Sequence, residues 1–110
     1  MASGILYTGT PSATTNTTTY TVPSNTYSVI NISFTNTSST TAAQIRLYIG
    51  ASTGPSSTVA SEAIEYGTTV APSGVFERTG LVLGAAKNVT VYCTTGNVNV
   101  NIYGIETSTS

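Results

Sequence analysis

The sequence predicts an all-β protein, a single antiparallel β-sandwich of about seven or eight strands, either jelly-roll-like or immunoglobulin-like. Three observations indicate this class. Apolar residues make up 39% of the chain and alternate with polar residues in short runs. Gly, Pro, Asn and Ser clusters separate these runs, and no window has apolar residues at helical spacing. The 110 residues form one domain, residues 1–110, in which two facing sheets would bury the one-sided strands.

Eight segments alternate clearly enough to be predicted as strands. In chain order they are residues 5–7, 17–22, 27–36, 43–49, 63–66, 75–83, 89–94 and 97–103. Pro23 ends the second segment, because proline has no N–H to donate to a neighbouring strand. Gly80 interrupts the sixth segment, where we predict a β-bulge.

The last two segments predict a hairpin that turns at Thr95 and Gly96. In this register Cys93 lies opposite Val98, and each further apolar residue also meets an apolar partner. A shift by one residue would place valines opposite asparagines along the whole pair. The pattern therefore predicts Cys93 as a small core residue rather than a reactive thiol.

The composition excludes most catalytic and metal-binding chemistry. The chain has no His, no Asp and one Cys, and only 6% of its residues are charged. Nucleophilic triads need an imidazole base, zinc sites need sets of Cys and His, and calcium loops depend on Asp oxygens. Paired glutamates could serve a glycosidase, but Glu62 and Glu65 fall on opposite faces of a strand. We therefore expect no enzyme activity, no cofactor and no metal.

Charge and hydropathy also limit the partners. The three Lys and Arg residues cannot neutralise a nucleic-acid backbone, and no apolar run approaches the roughly 20 residues of a membrane span. The first residues lack the basic and apolar regions of a secretory signal, and a single Cys fits a reducing compartment. We expect a protein made in the cytoplasm that binds neither nucleic acid nor membrane.

Uncharged polar surfaces point instead to association with other molecules. Edge strands that lack charges are open to pairing with other chains. Outward-phase tyrosines serve protein interfaces, ordinary surface or glycan binding. Arg78 is expected to pair with Glu65 or Glu77, as a solvated ion pair or as a contact to a neighbouring subunit. The candidate interface residues are Glu65, Arg78, Tyr48, Tyr92 and Tyr103.

Five short motifs are distributed over nearly the whole chain. They are Leu6-Tyr7-Thr8-Gly9, the Tyr-Thr-Val-Pro-Ser run at 20–24, Ile64-Glu65-Tyr66, the Gly-Val-Phe-Glu-Arg-Thr-Gly run at 74–80, and the closing Val-x-Val-x-Ile-Tyr-Gly-Ile-Glu strand. Together these motifs resemble small virion structural proteins of tailed bacteriophages. The motifs are structural rather than catalytic, so the resemblance supplies no catalytic residues.

The resemblance implies a non-enzymatic structural protein located in the virion. One interpretation is a capsid decoration or cement protein that binds the major capsid protein and stabilises the shell through many subunit contacts. Such proteins usually form homo-oligomers, with a trimer favoured. The alternative is a tail-fibre, tail-tip or head-fibre module that binds host surface glycans. It would use Tyr48, Tyr92 and Tyr103 together with Asn97, Asn99 and Asn101.

Overall fold

The computed structural model describes residues 3–51, 53–54 and 58–109, and it confirms the all-β sandwich. The described regular structure consists of eight strands and one short 3-10 helix (Ala60–Glu62). The strands are β1 (Ser3–Gly9), β2 (Thr17–Thr21), β3 (Thr26–Asn36), β4 (Ala43–Gly50), β5 (Ala63–Val70), β6 (Val75–Leu83), β7 (Asn88–Cys93) and β8 (Val98–Ser108). Within these ranges, no helix has the length and apolar character needed to cross a membrane.

The strands form two four-stranded antiparallel sheets. Sheet A has the strand order β1-β8-β3-β6, and sheet B has the order β2-β7-β4-β5. Except for β4 and β5, strands that follow one another in the sequence lie in different sheets. This arrangement of eight strands is that of a jelly roll, so the topology distinguishes between the two architectures that the sequence predicted.

The inward side chains of both sheets form one apolar core. On β3, the buried residues Ile30, Ile32 and Phe34 alternate with half-buried polar residues. On β7 and β8, the fully buried apolar residues are Val89, Val91, Cys93, Val98, Val100 and Ile102. The predicted core position of Cys93 is confirmed, and burial raises the pKa of its thiol to about 11. The thiol is therefore protonated and shielded at neutral pH.

The predicted hairpin between the last two strands is wrong. β7 pairs with β2 and β4, whereas β8 pairs with β1 and β3, so the two strands lie in opposite sheets. The connection between them contacts both sheets: the Thr94 N–H donates to the Gln44 carbonyl at 3.0 Å, and the Asn97 carbonyl accepts the Thr37 N–H at 2.8 Å. Alternation requires only that apolar faces meet. Residues that face one another across a sandwich satisfy this requirement as well as a hairpin does.

All four edge strands contain irregularities of pairing. In β6 the bulge includes Gly80, which has a φ of +69° and donates its N–H to Oδ1 of Asn31 at 3.0 Å, so the predicted bulge is confirmed. In the other edge strands the extra residues are Leu6, Thr19, Ile64 and Gly67. Bulges interrupt the row of backbone groups along an edge and hinder its pairing with another chain. The edges are thus less open to pairing with another chain than their lack of charge indicates.

Candidate interaction surfaces

Tyr48 is buried, which corrects the expectation that it lies exposed on an outer face. Its position in β4 follows the outward phase, yet only 1% of its surface is exposed. Thr53, in the connection between β4 and β5, lies over this half of sheet B. Thr90, the partner of Tyr48 in β7, is also fully buried, and its hydroxyl donates to the carbonyl of Thr53 in that connection at 3.4 Å. Alternation thus sets the direction of a side chain but not whether a later segment covers it.

Glu62 fixes this connection against the sheet. Its Oε1 accepts the N–H of Thr53 at 2.9 Å, and the hydroxyl of Thr53 accepts the N–H of Val59 at 3.0 Å. These bonds satisfy backbone donors in an irregular segment that would otherwise lack partners. Gly50 lies against the carboxylate, where a Cβ would collide with it. Glu62 therefore helps to hold Thr53 in its place against β4 and β7.

The uncovered half of the same outer face carries an arginine between two tyrosine rings. Arg46 of β4 is paired with Tyr66 of β5 and with Tyr92 of β7. Its guanidinium carbon lies 4.3 Å from the ring centroid of Tyr66 and 4.5 Å from that of Tyr92. Cation–π contacts on both sides restrict the orientation of the guanidinium. The predicted interface residue Tyr92 thus belongs to a preorganised cluster.

A shallow cleft of about 170 Å³ opens beside this cluster. Its lining residues are Gln44, Ile45, Arg46, Tyr66, Gly67, Tyr92 and Thr94. Gly67 is an extra residue of β5 with a φ of +83°, a conformation that glycine adopts at little cost. This bulge places Tyr66 rather than Gly67 opposite Arg46. Sequence alternation gives the outward phase of Arg46, but its pairing with two tyrosines follows from the strand order, which alternation does not specify.

Glu65 and Arg78 form an ion pair at one side of the sandwich. Glu65 lies on β5, an edge of sheet B, and Arg78 lies on β6, an edge of sheet A. Nη1 of Arg78 donates to Oε2 of Glu65 at 2.5 Å, and the hydroxyl of Thr68 donates to Oε1. The hydrogen bond from Thr68 and the contact with Arg78 together hold the pKa of Glu65 below its usual value. Of the two expected partners, Arg78 binds Glu65, so these two candidate residues contact each other within one molecule.

Tyr103 lies on the outer face of sheet A, on the opposite side of the molecule from Tyr92. Its hydroxyl donates to Oε2 of Glu77 at 2.9 Å, and this hydrogen bond raises the pKa of Tyr103. Asn99 and Asn101 share the outward phase of β8 with Tyr103. Because Tyr48 is buried and the other two tyrosines face opposite directions, the three do not form one surface.

Apolar side chains are exposed together at one end of the outer face of sheet A. Ile105 pairs with Val29, and Val29 pairs with Val82, so these residues form one row across three strands. Ile5 lies in the adjacent row and Tyr27 in the next row on the other side. We refer to Ile5, Tyr27, Val29, Val82 and Ile105 as the apolar patch. Val82 is 70% exposed, Ile5 66% and Ile105 51%, and none of the seven charged residues of the chain belongs to the patch.

The part of the chain that the structure describes contains no group of three or more His, Cys, Asp or Glu side chains placed to hold a metal ion. Comparisons with protein-family models, with curated proteins and with solved structures found no match to this chain.

Proposed function

We propose that the protein is a non-enzymatic structural component of a bacteriophage virion, a decoration protein that attaches to the capsid shell and stabilises it. The apolar patch on sheet A is the observation that carries this proposal. Three of its residues expose more than half of their surface. Transfer of such surface from water to a protein contact is favourable by about 25 cal/mol per Å². Exposed apolar patches of this kind mark sites of association, and the resemblance of the sequence motifs supports the virion as the place.

The major capsid protein is the proposed occupant of the patch. Interface centres are depleted of charge, and the patch contains no charged residue. The net charge of −1 causes little repulsion between copies that lie close together on a shell. If the protein is a trimer, three patches act together, so that contacts of modest affinity add up through high effective concentration.

The alternative function, a fibre or tail-tip module that binds host glycans, receives less support. It relied on a common surface of Tyr48, Tyr92 and Tyr103. Tyr48 is buried, and the other two tyrosines lie on opposite faces. Tyr66 and Tyr92 do flank the cleft beside Arg46, so a sugar is included among the ligands to be tested there.

The copy number in purified virions tests the proposed function. The protein would be quantified against the major capsid protein by mass spectrometry with isotope-labelled reference peptides. We expect a copy number comparable to that of the shell subunits. A few copies per particle would contradict a decoration role and would favour a fibre or tail location.

A charge placed in the apolar patch tests the attachment surface. In Val82→Lys an ammonium group replaces an apolar group at the row of Ile105 and Val29, and burying it without a partner is costly. We expect incorporation into particles to fall by at least about tenfold. Val75→Lys is the matched control, because Val75 is 61% exposed on the same strand and outer face but lies outside the patch. Equal incorporation of both variants would contradict attachment through the patch.

A further inference from the structure

Among the described residues, Arg46 carries a positive charge that forms no salt bridge with a glutamate. The chain has four acidic residues, all glutamates, and each contacts another group: Glu62 binds Thr53, Glu65 binds Arg78, Glu77 binds Tyr103 and Glu106 binds Tyr20. Within residues 3–51, 53–54 and 58–109, the salt bridge between Glu65 and Arg78 is the only one. Arg46 is thus a cation held in place by aromatic rings, with room for an anion from another molecule.

The two tyrosine rings determine how an anion can approach. Their ring centroids lie 4.3 and 4.5 Å from the guanidinium carbon of Arg46, so an anion reaches the N–H groups of Arg46 only from the directions that the rings leave open. A carboxylate matches the edge of a guanidinium, since its two oxygens can accept two parallel N–H bonds. Gln44 lines the same cleft and carries further amide donors. The hydroxyl of Thr94 accepts the backbone N–H of Gln44 at 2.9 Å and fixes this wall of the cleft.

The volume of the cleft restricts its ligand to a single protruding group. Sites for drug-sized molecules occupy roughly 300–1,000 Å³, whereas this cleft has about 170 Å³. Arg and Tyr are also the residue types that most often dominate the affinity of protein interfaces. We infer that the Arg46 cleft binds the carboxylate side chain of an Asp or Glu on a neighbouring virion protein, an inference that rests on the proposed function.

The place of the cleft gives this contact a role in shell stabilisation. The cleft lies on the outer face of sheet B, and the apolar patch lies on the outer face of sheet A. One molecule therefore presents attachment surfaces in opposite directions. A protein with two such surfaces can join two neighbours, whereas a protein with one surface only coats a single neighbour.

A small acidic probe tests the site directly. N-acetyl-aspartate N-methylamide, a capped aspartate, would be titrated into isotope-labelled protein while the Arg46 side-chain N–H and the ring signals of Tyr66 and Tyr92 are followed by NMR. We expect saturable shifts in the millimolar range. The capped asparagine, which has the same shape without the charge, should bind at least about tenfold more weakly. Equal binding of the two probes would overturn the inference.

Two variants distinguish binding of the probe in the cleft from a general effect of the protein's charge on probe affinity. Arg46→Lys keeps the charge but loses the planar pair of donors and the stacked geometry, so we expect about a tenfold loss of probe affinity. Lys87→Gln removes one unit of positive charge at an exposed residue outside the cleft and should bind like the wild type. An equal loss in both variants would contradict a specific site, as would tighter binding of glucuronate than of the capped aspartate. Backbone amide spectra would verify that each variant remains folded.

Particle binding separates failure of this inference from failure of the proposed function. If the wild-type protein is present in only a few copies per virion, the proposed function is wrong whatever the probe shows. If the wild type is abundant and Arg46→Lys is incorporated equally well, the inference is wrong and the proposed function stands. We expect an abundant wild type and a clear reduction for Arg46→Lys, with no reduction for Lys87→Gln.

Discussion

Tyr48 and Tyr103 occupy comparable places on the two outer faces, yet their environments differ. Both lie on inner strands of their sheets and on the outward phase. Tyr48 is 1% exposed, and its neighbour Thr90 bonds Thr53 of the connection between β4 and β5, whereas Tyr103 is half-buried and bonds Glu77 at the surface. The comparison shows that alternation within a strand specifies direction, while exposure depends on which segment returns over the sheet.

Truncation of these two tyrosine side chains should give the largest effect on stability and should show most clearly how the two positions differ. Tyr48→Ala removes a fully buried aromatic side chain, so we expect the free energy of unfolding to fall by about 3–5 kcal/mol. Tyr103→Ala removes a ring at the surface and should change stability little. Urea denaturation of both variants provides the measurement. Similar losses in the two variants would show that Tyr48 is not buried in solution.

A comparison of Tyr20 with Tyr103 separates the effect of burial on the pKa of a tyrosine from the effect of a hydrogen bond. Both hydroxyls donate to a glutamate, Tyr20 to Glu106 at 2.5 Å and Tyr103 to Glu77 at 2.9 Å. The hydroxyl of Tyr20 also contacts the hydroxyl of Ser28, a buried residue of sheet A, at 2.7 Å. Burial first, and then Glu106, raises the pKa of Tyr20 to about 12. Tyr20 thus joins β2 of sheet B to two strands of sheet A.

Removal of the Tyr20 hydroxyl should have an intermediate effect. We expect Tyr20→Phe to cost about 1.5–3 kcal/mol at neutral pH, because a charge-assisted bond is lost and buried polar groups lose a partner. Since the folded-state pKa is raised from 10.0 to about 12, the folded form retains its proton over this interval and stability falls as the pH rises through it. In urea denaturation at alkaline pH, the stability of Tyr20→Phe should not show this fall. Tyr103→Phe is the control, and an equal effect of both variants would rule out burial as the cause.

The sequence could predict the sandwich, the core residues and the bulge at Gly80, because these depend on local alternation and on glycine conformation. It could not predict that β7 and β8 lie in different sheets. Val91 and Val100 can be buried against a hairpin partner or against the opposite sheet. The free energy of burial does not distinguish these two arrangements.

Of the candidate site, the sequence could predict which side chains point outward and that Arg78 pairs with a glutamate. It could not predict the cluster of Arg46, Tyr66 and Tyr92, because residues 20 and more positions apart meet only through the order of strands in sheet B. Nor could it predict that Tyr48 is buried. Thr53, which bonds the neighbouring Thr90, belongs to a segment that lacks alternation, so no pattern indicates where it lies.

The smallest expected effect on stability concerns the ion pair between Glu65 and Arg78, which joins the edge strands β5 and β6 of the two sheets. We expect Glu65→Gln to cost no more than about 1 kcal/mol at neutral pH, because the ion pair with Arg78 is partly exposed. The pKa of Glu65 is lowered in the folded state, so its contribution is complete above the ordinary value of 4.5 and is lost as the pH falls through the folded-state pKa. Glu65→Gln should therefore lose less stability than the wild type on acidification, while Glu77→Gln serves as a surface control.

Two further variants decide which partner of Glu65 causes this pH dependence. The hydrogen bond from Thr68 is the largest single influence that lowers the pKa of Glu65, and Arg78 lowers it both by a hydrogen bond and by its charge. Thr68→Ala should therefore reduce the acid-induced loss of stability at low and at high salt, whereas Arg78→Gln should reduce it mainly at low salt. If the charge of the guanidinium were the only cause, Thr68→Ala would change nothing, and high salt would abolish most of the effect because it screens exposed charges. Urea denaturation between neutral pH and pH values below 4.5, at low and high salt, distinguishes a hydrogen bond at this edge from a simple ion pair.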